Sequence, residues 1–190
     1  MPESFPLNEH QIELRDRFLA PPVVDAPAPW VKQRPLRAGG LLGVGFAPHP
    51  ETGEDLLLVA SHNGLGLFSA HGERLARDED SDRSWPDSEL TCMGIGVLAG
   101  VRVRMTGLLG GGLRNTVDEG QWRLDVVSPG WPSRRVVLSA TGWGPWQGEH
   151  GESWWTIFDE TVTDLRAAGF SSSGSTIVAA TSSDVTLWTR

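Results

Sequence analysis

Short runs of apolar or alternating residues recur along the chain between turn-forming residues, at 41–46, 56–61, 65–69, 73–77, 101–107, 121–127, 134–139, 153–158, 165–170, 176–181 and 184–189. Runs of this length, bounded by Gly, Pro, Asn, Asp and Ser, predict antiparallel β-strands. In Val101, Val103 and Met105 the apolar side chains alternate with Arg102, Arg104 and Thr106. Trp122, Leu124 and Val126 alternate in the same way with Arg123 and Asp125. Both sets of apolar positions are therefore predicted to face a core, with their polar neighbours toward solvent. Asn63-Gly64, between two apolar runs, predicts a hairpin with a type I′ turn.

One segment has helical character. Asn8 can cap the free amides of a helix, Gln11 completes a capping box three residues on, and Pro21-Pro22 ends it. Ala26 to Gly40, with Pro27, Pro29 and Pro35, reads as an extended connector. The expected organisation is an N-terminal helix and Pro-rich connector over residues 1–40, followed by one antiparallel β domain over 41–190. The fold class is mostly β, with meander sheets, blade-like hairpins and one short N-terminal helix.

A weak internal repeat refines this. Gly43-Val44-Gly45-Phe46, a turn with Gly53, and Leu56 to Ser69 match Ala167-Ala168-Gly169-Phe170, a turn with Gly174, and Ile177 to Thr189. Gly169-Phe170-Ser171 with Gly174, and Ser182-Ser183-Asp184-Val185-Thr186-Leu187-Trp188, resemble a blade of the WD-repeat β-propellers. That resemblance implies a blade-like meander at each end of the chain, the two pairing into a twisted sheet, sandwich or partial propeller. About eleven strands make about three four-stranded blades, below the usual four. A sandwich or barrel without propeller kinship fits the same strands.

Composition and charge narrow the function classes. The 190 residues fit one good-sized domain, and no apolar run approaches the ~20 residues of a membrane helix. Residues 1–20 lack a basic start followed by an apolar stretch, so the expected location is the cytoplasm, without a membrane partner. The single cysteine, Cys92, cannot form an internal disulfide or a multi-cysteine metal site. The net charge of −8 repels a phosphate backbone and argues against nucleic acid. Residues 51–89 hold much of the acidity, and residues 101–135 are basic.

Four patterns could carry chemistry. Asp78, Asp80, Asp82 and Glu89 occupy positions 1, 3, 5 and 12 of a calcium-loop spacing, although Arg83 replaces the turn glycine and Pro86 stands at position 9. A solvated acidic loop accounts for the same residues. The glycine-rich stretch Gly107 to Thr116 lacks the Gly-Lys-Ser/Thr of a phosphate loop, and tight turns or close strand approach explain its glycines. Trp143, Trp146, His150 and Trp154 crowd a glycine-rich segment suited to stacking on a sugar or docking a protein. Plain core packing is the competing account. Cys92 with any of the five scattered histidines could form a dyad, a buried inert thiol being the commoner state of a lone cysteine, and the histidines show no metal-ligand spacing.

The function expected from these residues is non-catalytic protein binding or regulation. Its concrete form is an acidic inhibitor or immunity protein for a basic partner such as a nuclease, needing no cofactor beyond the calcium considered above. A carbohydrate-binding or carbohydrate-active domain using the Trp-rich loop, and a small hydrolase, are the alternatives.

Overall fold

A computed structural model describes residues 6–108, 111, 113–118, 121–130, 132–140 and 143–190. It is mostly β. The predicted helix is present as α1 (Glu9–Leu19), and both hydrogen bonds of the Asn8/Gln11 capping box are made. Every predicted run contributes to a strand. The first meander comprises β3 (Leu41–Pro48), β4 (Asp55–Ser61), β5 (Gly64–Ser69) and β6 (Arg74–Asp78). The second comprises β10 (Thr116–Val117), β11 (Trp122–Gly130), β12 (Ser133–Ser139) and β13 (Trp154–Glu160). The last comprises β14 (Leu165–Phe170), β15 (Thr176–Thr181) and β16 (Asp184–Thr189).

The connector supplies two further short strands, β1 (Val31–Lys32) and β2 (Leu36–Arg37), which both pair with β16 and complete the last sheet. Trp30 beside them is buried. β7 (Thr91–Met93) and β8 (Arg102–Arg104) form a separate ribbon, and β9 (Thr106–Gly107) adds to the first sheet along β3.

The three sheets stack with the last one in the middle. Leu57 and Val59 meet Val178, Ala180, Val185 and Leu187 between the first and last sheets. Ile177, Ala179 and Trp188 meet Leu124, Val136, Leu138 and Ile157 between the last and second sheets. This is why β4 and β15 are apolar at consecutive positions, since both faces of each are covered. The outer face of the first sheet is sealed by the β7–β8 ribbon through Cys92, Val103 and Met105. The outer face of the second is covered by α1 through Phe18 against Val137 and Trp154. Among the described residues the stack is open and capped at both ends, and the sheets do not close into a propeller. No described helix is long and apolar enough to cross a membrane.

Close approach explains two of the glycine positions. A Cβ on Gly107 would lie 2.2 Å from the Leu42 carbonyl oxygen, and one on Gly169 would lie 2.5 Å from Leu113 Cβ where the chain crosses beside β14. Gly110 and Gly112 lie outside the described residues.

Three local expectations are corrected. Asn63 keeps a negative φ and only Gly64 is positive, at +100°. His62 and Asn63 therefore form the turn between Ser61 and Gly64, and Gly64 takes the left-handed position in place of a type I′ pair. Val101 is exposed because it lies in the turn before β8, with its amide bonded to the Leu98 carbonyl. Val126 is exposed because β10 pairs only with Trp122 and Arg123, leaving β11 unflanked beyond them. Val103, Met105 and Leu124 are buried as predicted, and Trp122 is half-buried.

Candidate functional site

Strand registers bring several loops to one end of the stack. Thr176 pairs with Thr189, Ser139 with Arg123 and Trp154, and Arg190 bonds to Asp118. The turn 49–54, Asp118, the segment 143–153 and the turn 171–175 therefore share this loop end. Exposed carboxylates there are Glu51, Glu54, Asp118, Glu149 and Glu152. The arginines nearby are already engaged: Arg17 with the Pro145 and Gly148 carbonyls, Arg123 with Asp125, and Arg190 with Asp118.

The four aromatic and histidine candidates divide into surface and support. Trp143 is 70% exposed and Trp146 52% exposed. Trp146 stands edge-on to Phe18, with ring centroids 5.0 Å apart. Beside it a groove of about 410 Å³ runs between α1 and β11, lined by Leu7, Leu14, Phe18, Val126, Pro129 and Trp146 among others. Trp154, by contrast, is 2% exposed. The Phe18 ring and the Arg17 guanidinium, the latter 5.2 Å from the Trp154 ring centroid, cover it and make it core.

His150 is half-buried and serves the same support. Its Nε2 accepts the Thr156 amide at 3.2 Å, and its ring lies edge-on to Trp154 at 4.8 Å. Burial, and then the Arg135 charge, hold the imidazole below its ordinary pKa, so it is neutral at pH 7.

A second feature of the loop end has no counterpart in the sequence analysis. Asp55, at the start of β4, is 6% exposed. Its Oδ2 accepts the Ser173 hydroxyl at 2.7 Å and the Thr176 hydroxyl at 2.8 Å, joining the first and last sheets. Asp55 lines a cleft of about 430 Å³ whose walls include Val31, His71, Ser175, Thr176 and Arg190. Arg190 lies over the Trp30 ring at 4.9 Å and makes two hydrogen bonds to Asp118, which hold that carboxyl below the usual range. An Asp ahead of an apolar run reads locally as a turn residue, and its hydroxyl partners lie more than a hundred residues away.

The acidic segment lies at the opposite end, beyond β6, where Trp85 contacts His62. Its carboxylates do not converge. Asp78 pairs with Arg83, Asp80 caps the amide of Asp82, and Arg102 bridges Asp87 and Glu89. Among the described residues no group of three or more His, Cys, Asp or Glu side chains is placed to hold a metal ion, so Asp78, Asp80, Asp82 and Glu89 do not assemble the predicted calcium loop. Cys92 is buried behind this segment. Its desolvation, with the Asp87 charge adding to it, pushes the thiol up to about 11, leaving it protonated at neutral pH.

Compared with known protein families, curated proteins and solved structures, the chain matches none. Its class is therefore defined by the fold itself: a mostly antiparallel β protein of three stacked meanders, with an aromatic surface and a carboxylate cleft at one end.

Proposed function

We propose that the protein is a non-catalytic binding module that recognises a basic partner protein at its loop end, with Trp143 and Trp146 as aromatic contacts. The observation that carries this reading is the exposure of two indoles in one short segment, Trp143 and Trp146, the second of which lines the apolar groove under α1. Exposed Trp is costly in water and common as an interface anchor. A sugar site needs several converging polar groups, and the groove offers only Gln11, Arg15 and Ser128. A net charge of −8, with exposed carboxylates around the loop end, favours a cationic partner and speeds the encounter. An acidic inhibitor or immunity protein acting on a basic enzyme in the cytoplasm is the concrete form of this proposal.

The test places a photo-crosslinking amino acid at position 143 and identifies what it captures in cells. A basic protein is expected, with capture reduced in Trp146→Ala. Its association with the purified chain should slow markedly as salt rises from about 0.05 to 0.5 M. Asp78, Asp80 and Asp82 sit at the far end, so their reversal to Lys should slow association less than reversal of Glu149 and Glu152. An acidic partner, or a rate indifferent to salt, overturns the proposal.

A further inference from the structure

We infer that the Asp55 cleft is the anchor pocket for a cationic side chain, guanidinium or ammonium, of the partner protein. The inference rests on the protein-binding reading above and deepens it.

Asp55 is nearly enclosed, yet only one of its carboxylate oxygens is used within the protein. Oδ2 holds both hydroxyl donors, while Oδ1 accepts no hydrogen bond from a described residue, and no described cation forms a salt bridge with the group. Oδ1 is not among the fully buried polar atoms without a partner, and Asp55 lines the cleft, where a cationic donor can reach it. The Ser173 and Thr176 hydroxyls both donate to Oδ2 and so fix the orientation of the carboxylate. Ser171 supports Ser173 in turn, the two hydroxyl oxygens lying 3.1 Å apart.

The cation nearest at hand does not fill the role. Arg190 lines the cleft, but its guanidinium is committed to Asp118 and Trp30. The cleft therefore presents an oriented carboxylate facing a volume of about 430 Å³, with Glu54 on its lining and Glu51 in the same turn adding negative charge. A guanidinium or ammonium group supplies the missing donors and charge together. An anion would be repelled here.

The experiment follows backbone amide signals of the full chain by NMR while millimolar argininamide or lysinamide is added, with N-acetylglutamate amide as the anionic counterpart. Saturable shifts at Ser69 to His71 and Ser173 to Thr176 are expected with the two cations and not with the anion. Asp55→Asn keeps an acceptor for both hydroxyls and should weaken binding by at least about tenfold. Ser175→Arg, at an exposed position on the cleft lining, should abolish the shifts by placing a tethered guanidinium there, and it does not disturb Asp55. No shift in the natural chain, or the same shifts in both variants, overturns the inference.

The two proposals fail separately. Cation shifts without any captured partner refute the protein-binding reading and leave the cationic cleft. Capture of a basic partner with an affinity untouched by Asp55→Asn refutes the anchor and leaves the binding module.

Discussion

Arg135 holds the end of the helix that carries Phe18. Its Nη1 donates to the carbonyl oxygen of Phe18 at 2.8 Å and to that of Pro21 at 2.7 Å, while Nη2 pairs with Asp159 at 3.0 Å. The last carbonyls of a helix have no partner within it, and they carry the negative end of its dipole. A buried guanidinium projecting from β12 answers both needs and fixes α1 across the second sheet.

Arg135→Met is accordingly expected to destabilise the protein by about 3–5 kcal/mol, because it strips these carbonyls and leaves Asp159 unpaired. Chemical denaturation measures this. A loss below about 1 kcal/mol would show that the helix is held by packing alone.

The indoles of one segment should respond oppositely to truncation. Trp154→Ala removes a buried ring packed on Phe18 and should cost about 3–5 kcal/mol. Trp143→Ala, at a position 70% exposed, should change stability by less than about 0.5 kcal/mol. Equal costs at the two positions would contradict this division between support and surface.

Stability should weaken in mild acid through His150. Its folded pKa lies below the ordinary value of 6.5, so as pH falls through about 6.5 the unfolded chain takes up a proton that the folded one refuses. Protonation would also end acceptance of the Thr156 amide by Nε2. The contribution is fully present above 6.5 and is lost toward the lower folded value. The lowered carboxyls of Asp87 and Asp118 act only at still lower pH, below their ordinary 3.8. His150→Gln keeps an acceptor and should lose less stability than the natural chain between about pH 7 and 5.5. Parallel losses would exclude the imidazole as the cause.

Terbium should give no sensitised emission at millimolar concentration, although Trp85 lies within the acidic segment and would transfer excitation to a bound ion. Emission that calcium competes away would show that Asp78, Asp80, Asp82 and Glu89 can gather after all.

What the sequence revealed follows how locally each feature is determined. The eleven apolar or alternating runs became strands because their pattern is complete within a few residues. Val31–Lys32 and Leu36–Arg37 were missed because each strand is only two residues long and exists through its pairing with β16. The alternation through Val101 and Val126 was extended past the points where neighbouring elements cover the chain. At the loop end, Trp143 and Trp146 could be singled out as glycine-flanked indoles. That Trp154 is core depends on where α1 lies, and the Asp55 cleft depends on a contact between the first and last sheets.

The sheet at the centre of the stack has a consequence for synthesis. Its strands β1 and β2 are made long before the strand that pairs with both, β16, which follows every strand of the first and second sheets. During translation the first and second sheets can assemble by local hairpins, but each then presents an uncovered apolar face to water until the middle layer arrives. The middle layer is therefore committed only once β16 has been made. A ribosome stalled before Asp184 would display a nascent chain with two sticky sheets and a loose leading arm, the form in which this protein most needs a chaperone.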